Sequence, residues 1–385
     1  PHTIANPGLK YTSEKSSVTK SLLNRNSWIV EPKLQWLKKG ENDGWDVLVG
    51  TTMEERYQDF LSVYASNFIS DDLLMNLASA KNQQIVKSND IKYRYLSFYG
   101  RINYNLYKKY YINATGRRDG SSRFGSNKRF GNFGAVGVSW VFSEEKLLEE
   151  IKWLNFGKIR SSYGITGSDL IGDYQYMDTF GTGFQKYDDL VTFEPIRLYN
   201  PNFSWEENKK WEIATELELL NRRLSTSVAW YRNRSSNQLV GVPLPGTAGF
   251  TSVQANLNAV VENSGWEFTV KTINVVKHKL KWNSSFNLSL PKNKLISFPN
   301  LNESTYVNQY VIGEPVTIRK FYNYLGVNEE TGIYEFEDIN KDGLINVQDR
   351  TIPVNIGVRS FMGLVNHISY KNWSMDMLWQ YVSQN

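Results

Sequence analysis

The chain has 385 residues, with 44 Lys or Arg, 39 Asp or Glu, 3 His, no Cys and a formal net charge of +5. Lacking cysteine, it has no thiolate nucleophile, disulfide or Cys-based zinc site, and its near-balanced charges describe a mixed surface rather than a nucleic-acid face. Aromatic residues reach 14% at a mean hydropathy of −0.47, and no run approaches the roughly 18 apolar residues of a helical membrane span.

The opening "PHTIANPGLK" has neither an initiator Met nor the charged and apolar regions of a signal peptide, so the chain is expected to be a piece of a longer protein. The dominant pattern beyond it has period two. "SDDLLMNLASAKNQ" (70–83) is the exception and predicts a short helix in a loop, with Ser70 as N-cap and acidic residues in the first turn. The strand-like "YKKYYI" then runs into "NATGRRDGSSRFG" (113–125), where Asp119-Gly120 and the serines signal a turn that leaves three guanidinium groups unexplained. In "AVGVSWVF", Val136, Val138, Trp140 and Phe142 oppose the small Ala135, Gly137 and Ser139.

Further on, "WEIATELEL" sets Trp211, Ile213, Leu217 and Leu219 against Glu212, Glu216 and Glu218, and "LSTSVAWYR" sets Leu224, Val228 and Trp230 against smaller residues. "HKLKWNSSFNLSL" is the clearest case, with Leu280, Trp282, Phe286 and Leu288 on one face and Lys, Asn and Ser on the other. At about 3.3 Å per residue that segment would run roughly 40 Å, too long for a soluble sandwich and suited to a tilted strand crossing a bilayer. An apolar outer band, a polar interior and Trp or Tyr near strand ends describe a transmembrane antiparallel β-barrel.

The connections carry a second signal. "LLNRRLS", "INVVKHKL" and "SYKNWSM" read as tight reversals, whereas the segments near 168–207, 235–260, 292–316 and 328–358 are long and rich in Gly, Pro, Asn and Asp. Short periplasmic turns and long extracellular loops are the arrangement of outer-membrane barrels. About thirteen strands are expected, and residues 1–385 form one partial barrel domain.

At this point the arginine-rich stretch acquires a family. "YINATGRRDGSSRFGSNKRFGNFGAVGVSWVFSEE" resembles the strand, loop and returning strand of SusC/RagA-like TonB-dependent outer-membrane transporters. The likeness continues in order through "NSWIVEPKLQW", "WDVLVG", "KIRSSYGITGS", "NPNFSWEENKKWEIATELELL", "NSGWEFTV" and "FEDINKDGLINVQDR". The resemblance implies an all-β fold, a fragment of a 22-stranded barrel, with the plug domain, TonB box and closing strand absent from this chain. It also implies import of oligosaccharide or peptide across the outer membrane with a SusD-like lipoprotein and TonB as partners, lipid around the wall and no enzymatic activity. The alternatives are an outer-membrane barrel hydrolase, for which His278 and His367 show no triad spacing, and a soluble carbohydrate-binding β module, against which the strand length argues.

Four candidate sites follow. Arg117, Arg118 and Arg123 either project into the lumen toward plug carboxylates or cargo, or brace the loop through Asp119 and neighbouring carbonyls. "DINKDGLINVQD" places Asp338, Asn340, Asp342, the Leu344 carbonyl and Asp349 at positions 1, 3, 5, 7 and 12 of a calcium loop, with Gly343 at the turn. Asp in place of a bidentate Glu at position 12 makes the site weak, and the same residues suit an unmetallated Asx turn. Tyr174, Tyr176, Phe180 and Phe184 either stack on sugar rings or pack against the lid protein. Glu212, Glu216 and Glu218 read as wall polarity rather than a glycosidase pair.

Overall fold

The computed structural model describes residues 2–3, 16–188, 190–244 and 246–384, leaving aside the side chains of 2–3, 183–186, 191 and 246. Thirteen long strands form one antiparallel sheet in which neighbours in sequence are neighbours in space, with His2–Thr3 adding a short edge strand. They are β1 (Ser17–Val30), β2 (Lys33–Lys39), β3 (Asp43–Phe68), β4 (Ala80–Leu106), β5 (Tyr110–Ser121), β6 (Phe130–Trp140), β7 (Leu154–Ser168), β8 (Glu206–Leu219), β9 (Leu224–Ser236), β10 (Val260–Lys277), β11 (Leu280–Ser297), β12 (Val358–Tyr370) and β13 (Trp373–Gln384). β1 and β2 pair with successive parts of β3 and are one strand interrupted at Glu31-Pro32. Pro32 has no N–H for the ladder, and its carbonyl still accepts from the Thr51 amide at 3.1 Å.

The strands are longer than those of soluble sheets, β3 and β4 reaching 26 and 27 residues. Connections alternate in length as expected, except that residues 141–153 between β6 and β7 form a longer link at the short-turn end than residues 122–129 do at the other. At one end two-residue turns join β10 to β11 and β12 to β13, with His278 and Lys371 at φ +43° and +53°. Leu220, Asn221 and Arg222, between β8 and β9, also take positive φ. At the other end the connections carry hairpins of their own, Thr179–Tyr187 with Leu190–Arg197 and Gln238–Pro243 with Ser252–Leu257. The β11–β12 connection holds two more, Ile318–Tyr322 with Arg350–Asn355 and Tyr324–Val327 with Tyr334–Phe336.

The short helix expected over 70–83 does not form. Its residues make single 3-10 turns at Asp71–Leu73 and Leu77–Ser79, and β4 begins at Ala80. Ser70 does accept the Asp72 amide as an N-cap, but pairing of Ala80 and Asn82 with Phe68 and Ser66 takes the backbone groups a helix would need. Phe142 likewise leaves the predicted alternation, starting a 3-10 turn after β6. Strand β11 also runs to Ser297, taking in the first six residues of the loop expected from 292.

The sheet has two chemically distinct faces. Val136 and Val138, half exposed at 55% and 52%, share one face with Phe98 and Ile102. The opposite face carries Asp46, Arg101 and Asn103, joined by bonds of 3.0 and 3.1 Å to the Asp46 carboxylate. Apolar side chains left in contact with lipid, backing a polar lumen, account for a sheet without a central core. The buried hydrophobic clusters sit instead at the long-loop end, around Leu74, around Phe124 and Trp205, and around Leu295 and Phe298.

Candidate functional site

The inner face is richest in interacting groups where β4 and β5 approach the long loops. Register pairs Ser97 with Asp119 and Tyr99 with Arg117, so alternation brings every second residue of "YRYLSFYG" onto this face. Asp119 is buried; its Oδ1 accepts the Ser97 hydroxyl at 2.5 Å, and the Arg117 Nε lies 2.7 and 2.9 Å from its two oxygens. Arg117 also donates to the Tyr95 hydroxyl at 2.7 Å. A recess of about 530 Å³ opens beside this group, lined among others by Tyr99, Arg101, Phe133 and Trp205.

One turn further out, Arg123 occupies the β5–β6 loop with its guanidinium over the Tyr93 ring at 4.6 Å. Its Nε donates to Asp173 at 3.1 Å and its Nη1 to the Asp169 carbonyl at 2.9 Å. The Asp169 carboxylate in turn accepts the hydroxyls of Tyr93 at 3.0 Å and Ser121 at 2.7 Å. Arg117 and Arg123 are therefore engaged by carboxylates of the wall and its loops. Arg118 does not join them. It pairs in register with Phe98 and Asn132 on the outer face, donates to Asn132 at 3.1 Å and lies 5.1 Å over the Phe130 ring. Grouping it with Arg117 as a lumen residue is corrected by strand geometry, since adjacent strand residues point to opposite faces.

Sequence reasoning passed over Asp169, Asp173, Tyr93, Tyr95 and Ser97. The strand residues were within reach, because the period-two pattern that puts Leu96 and Phe98 outside puts Tyr95 and Ser97 inside. Nothing local signals Asp169, which meets Ser121 across 48 positions.

The loop aromatics divide. The Tyr174 hydroxyl accepts the Lys92 amide at 2.9 Å and donates to its carbonyl at 3.2 Å, fastening the loop to β4. Tyr176 packs against the cluster of Phe124, Phe203 and Trp205. Phe180 is 62% exposed. Phe184 lies on the strand Thr179–Tyr187, and its side chain falls outside the described residues. The Phe133 ring occupies the space beside Gly131 and Gly167: a Cβ at Gly167 would meet it at 2.0 Å.

In the short-turn half of the lumen face, Arg160 bonds Glu216 at 2.9 Å and also contacts Glu212, and Lys158 lies 3.7 Å from Glu216. The carboxylate ladder is thus matched by cations of the adjacent strand. At the same end His367 Nδ1 meets Asp376 Oδ1 at 2.6 Å across β12 and β13.

The residues of the expected calcium loop come together as a set of turns. Asp338 accepts the amides of Asp342 at 3.3 Å and Gly343 at 2.7 Å, and Asp342 accepts the Leu344 amide at 2.8 Å, with Gly343 at φ +81°. Asn340 donates to Asp342 at 2.9 Å and to Gln348 at 2.8 Å. Asp349 is fully buried, and its two oxygens accept the amides of Ile339 and Asn346, both at 2.9 Å. The Asn346 amide foremost, with those of Ile339 and Asn340, holds the Asp349 carboxyl below its ordinary range. The oxygens of Asp338, Asn340 and Asp342 accept backbone amides as in successive Asx turns, and the position-12 carboxylate is likewise turned to backbone amides, so the loop is closed by its own hydrogen bonds. Among the described residues no group of three acidic or imidazole side chains gathers as a metal site.

Residues 6–340 match the family model described as TonB dependent receptor-like, beta-barrel. The chain is 31% identical to TonB-dependent receptor P39 of Formosa agariphila over 76% of its own length and 28% of that protein's. It is 27% identical to TonB-dependent receptor SusC of Bacteroides thetaiotaomicron over 73% of its own length and 30% of that protein's. Its fold is shared with a chain of the RagAB peptide transporter at a TM-score of 0.83 and 23% identity, covering 98% of this chain and 43% of that one. The chain thus spans about a third of the length of these curated relatives. It belongs to the TonB-dependent receptor-like β-barrel family and supplies wall strands to a barrel of the outer membrane.

Proposed function

We propose that this wall is part of a nutrient importer that takes oligosaccharide or peptide across the outer membrane, driven through TonB and working with a SusD-like lipoprotein at its outer mouth. The observation that carries the reading is the inner face itself. Its charges are matched, across strands at Arg160 with Glu212 and Glu216 and along one strand at Arg117 with Asp119, which leaves a nearly neutral passage. The recess beside Tyr95, Tyr99 and Trp205 adds ring faces and hydrogen-bonding groups suited to uncharged polar cargo. The likeness to SusC, and to a chain of a structure whose name is that of a peptide transporter, supports the same class. Purifying the full-length parent protein from detergent-solubilised outer membrane, with mass identification of whatever accompanies it, tests the reading. A SusD-like lipoprotein in stoichiometric amount is the expected result, and a protein that purifies alone would refute the partnership.

A further inference from the structure

One connection at the short-turn end is built differently from the others. Residues 141–153 join β6 to β7, whereas the next longest link at that end among the described residues is 220–223, between β8 and β9. A chain that only reverses between neighbouring strands needs a few residues, so this length has another role. The link begins by folding back onto the outer face. Phe142 sets its ring against that of Trp140, with centroids 5.9 Å apart, and fills the space beside Gly157, where a Cβ would meet it at 2.3 Å. Trp140 pairs in register with Ile159, and Gly157 with Leu217, both residues of the apolar outer face. Glu145 is then fastened to the same edge. It accepts the Tyr110 hydroxyl at 2.6 Å and the Trp140 indole N–H at 3.1 Å, with the Lys109 ammonium at 3.5 Å. The link therefore lies on the lipid-facing side of the wall and not beneath the lumen.

Its depth follows from β6. Trp140 ends an outer row that runs through Val138 and Val136 to Phe130, a climb of roughly 25 Å at about 3.3 Å per residue and a tilt near 40°. That is the full height of an apolar band. Trp140 thus marks the lower edge of the band, as interfacial tryptophans do, and residues 142–153 occupy the level of the periplasmic headgroups. Beyond Glu145 the chain makes one α-type turn, the Glu149 amide donating to the Glu145 carbonyl at 3.0 Å. At about 100° per residue, this turn sets Leu147 and Glu149 on nearly opposite sides. Leu147 is 90% exposed and Trp153 56% exposed. A leucine with almost its whole surface bare is unfavourable in water and suited to hydrocarbon, and the lipid-facing band that includes Trp140 runs directly down to it.

We propose that residues 142–153 form an amphipathic foot seated in the periplasmic leaflet, with Leu147 reaching the acyl chains, Trp153 at the headgroup boundary and Glu149 in the water beyond. Interfacial segments sink their apolar side about 5–10 Å into the boundary between headgroups and acyl chains. The foot gives this edge of the wall a hold on the leaflet that the tight turns beside it lack. The test uses the full-length protein, freed of any cysteine outside this chain and reconstituted in phosphatidylcholine vesicles, with a bimane label on the single variants L147C, E149C and K279C. Lipid carrying a nitroxide near the top of its acyl chain is expected to quench the L147C label strongly, and lipid carrying it near the chain end only weakly. Iodide on both sides of the bilayer is expected to leave that label bright. E149C, and K279C in the two-residue turn between β10 and β11, are expected to show the reverse, quenched by iodide and spared by acyl-chain nitroxide. Because E149C carries the same dye on the same turn, it separates the position from the dye's own affinity for lipid. Equal iodide quenching at L147C and K279C overturns the proposal. So does an L147C label shielded from both quenchers, which would place a protein surface over the link.

Discussion

Replacing Asp119 by Ala removes the acceptor on which the outer half of the inner wall is organised. Its carboxylate takes the Ser97 hydroxyl and the Arg117 Nε, and both Asp119 and Ser97 are buried, at 6% and 0% exposure. A buried hydroxyl left without its acceptor costs about 1–3 kcal/mol. Arg117 is half exposed, with 47% of its side chain accessible, so its lost ion pair adds only about 0.2–1 kcal/mol. The expected destabilisation is therefore about 1–4 kcal/mol, and the double variant Asp119→Ala/Ser97→Ala should cost about 1–2 kcal/mol less than the sum of the single changes. Urea unfolding of the full-length protein in detergent micelles measures this, with the folded fraction read from resistance to SDS at room temperature. A single variant within ~0.5 kcal/mol of wild type, or strict additivity in the cycle, would show that these groups are not organised as described.

Asp349, whose carboxyl is held below its ordinary range, stabilises the 338–349 loop above the unfolded aspartate value near 3.9 and loses that contribution as pH falls through its lower folded value. Pulse-labelled hydrogen exchange of the loop should thus stay protected down to about pH 4 and open only below it, while opening already near pH 6 would contradict the sign. Because that carboxylate is satisfied by the Ile339 and Asn346 amides, removing calcium with EDTA should leave the protection unchanged; a calcium-dependent gain would mean that Asp349 turns toward the ion. Gly167→Ala drives a methyl into the Phe133 ring and should destabilise the barrel by about 1–3 kcal/mol, with Gly116→Ala, which has nothing within 4 Å of its Cβ, as the silent control in the same unfolding assay. As this chain has no cysteine of its own, Val138→Cys should be quenched by nitroxide-labelled lipid and Asn103→Cys should not, since the two lie on opposite faces; quenching at both would refute the assignment of faces.

The sequence was legible wherever its chemistry repeats every two residues. Trp211, Ile213, Leu217 and Leu219 alternating with glutamates, or Leu280 through Leu288 alternating with Lys, Asn and Ser, have one sheet geometry that serves both sets. The tight reversals followed from the same pattern, since only a few residues separate one alternating run from the next. The calcium-like loop was legible as a turn series, because Asx side chains bond amides two to five positions on whether or not an ion is present. Arg118 was misplaced because a cluster of like residues was read as one group, when the same period-two rule should have split it.

What the sequence by itself determined is therefore the local part: the all-β class, the two faces and the alternation of short and long connections. Those follow from steric and solvation rules acting within a few residues, while the family came from the likeness of whole segments in order. Tertiary structure alone decided which distant groups meet. Asp169 reaches Ser121 and Tyr93, and Tyr174 reaches the backbone of Lys92. Each such meeting depends on strand register, and a shift of one residue would turn every side chain involved to the opposite face.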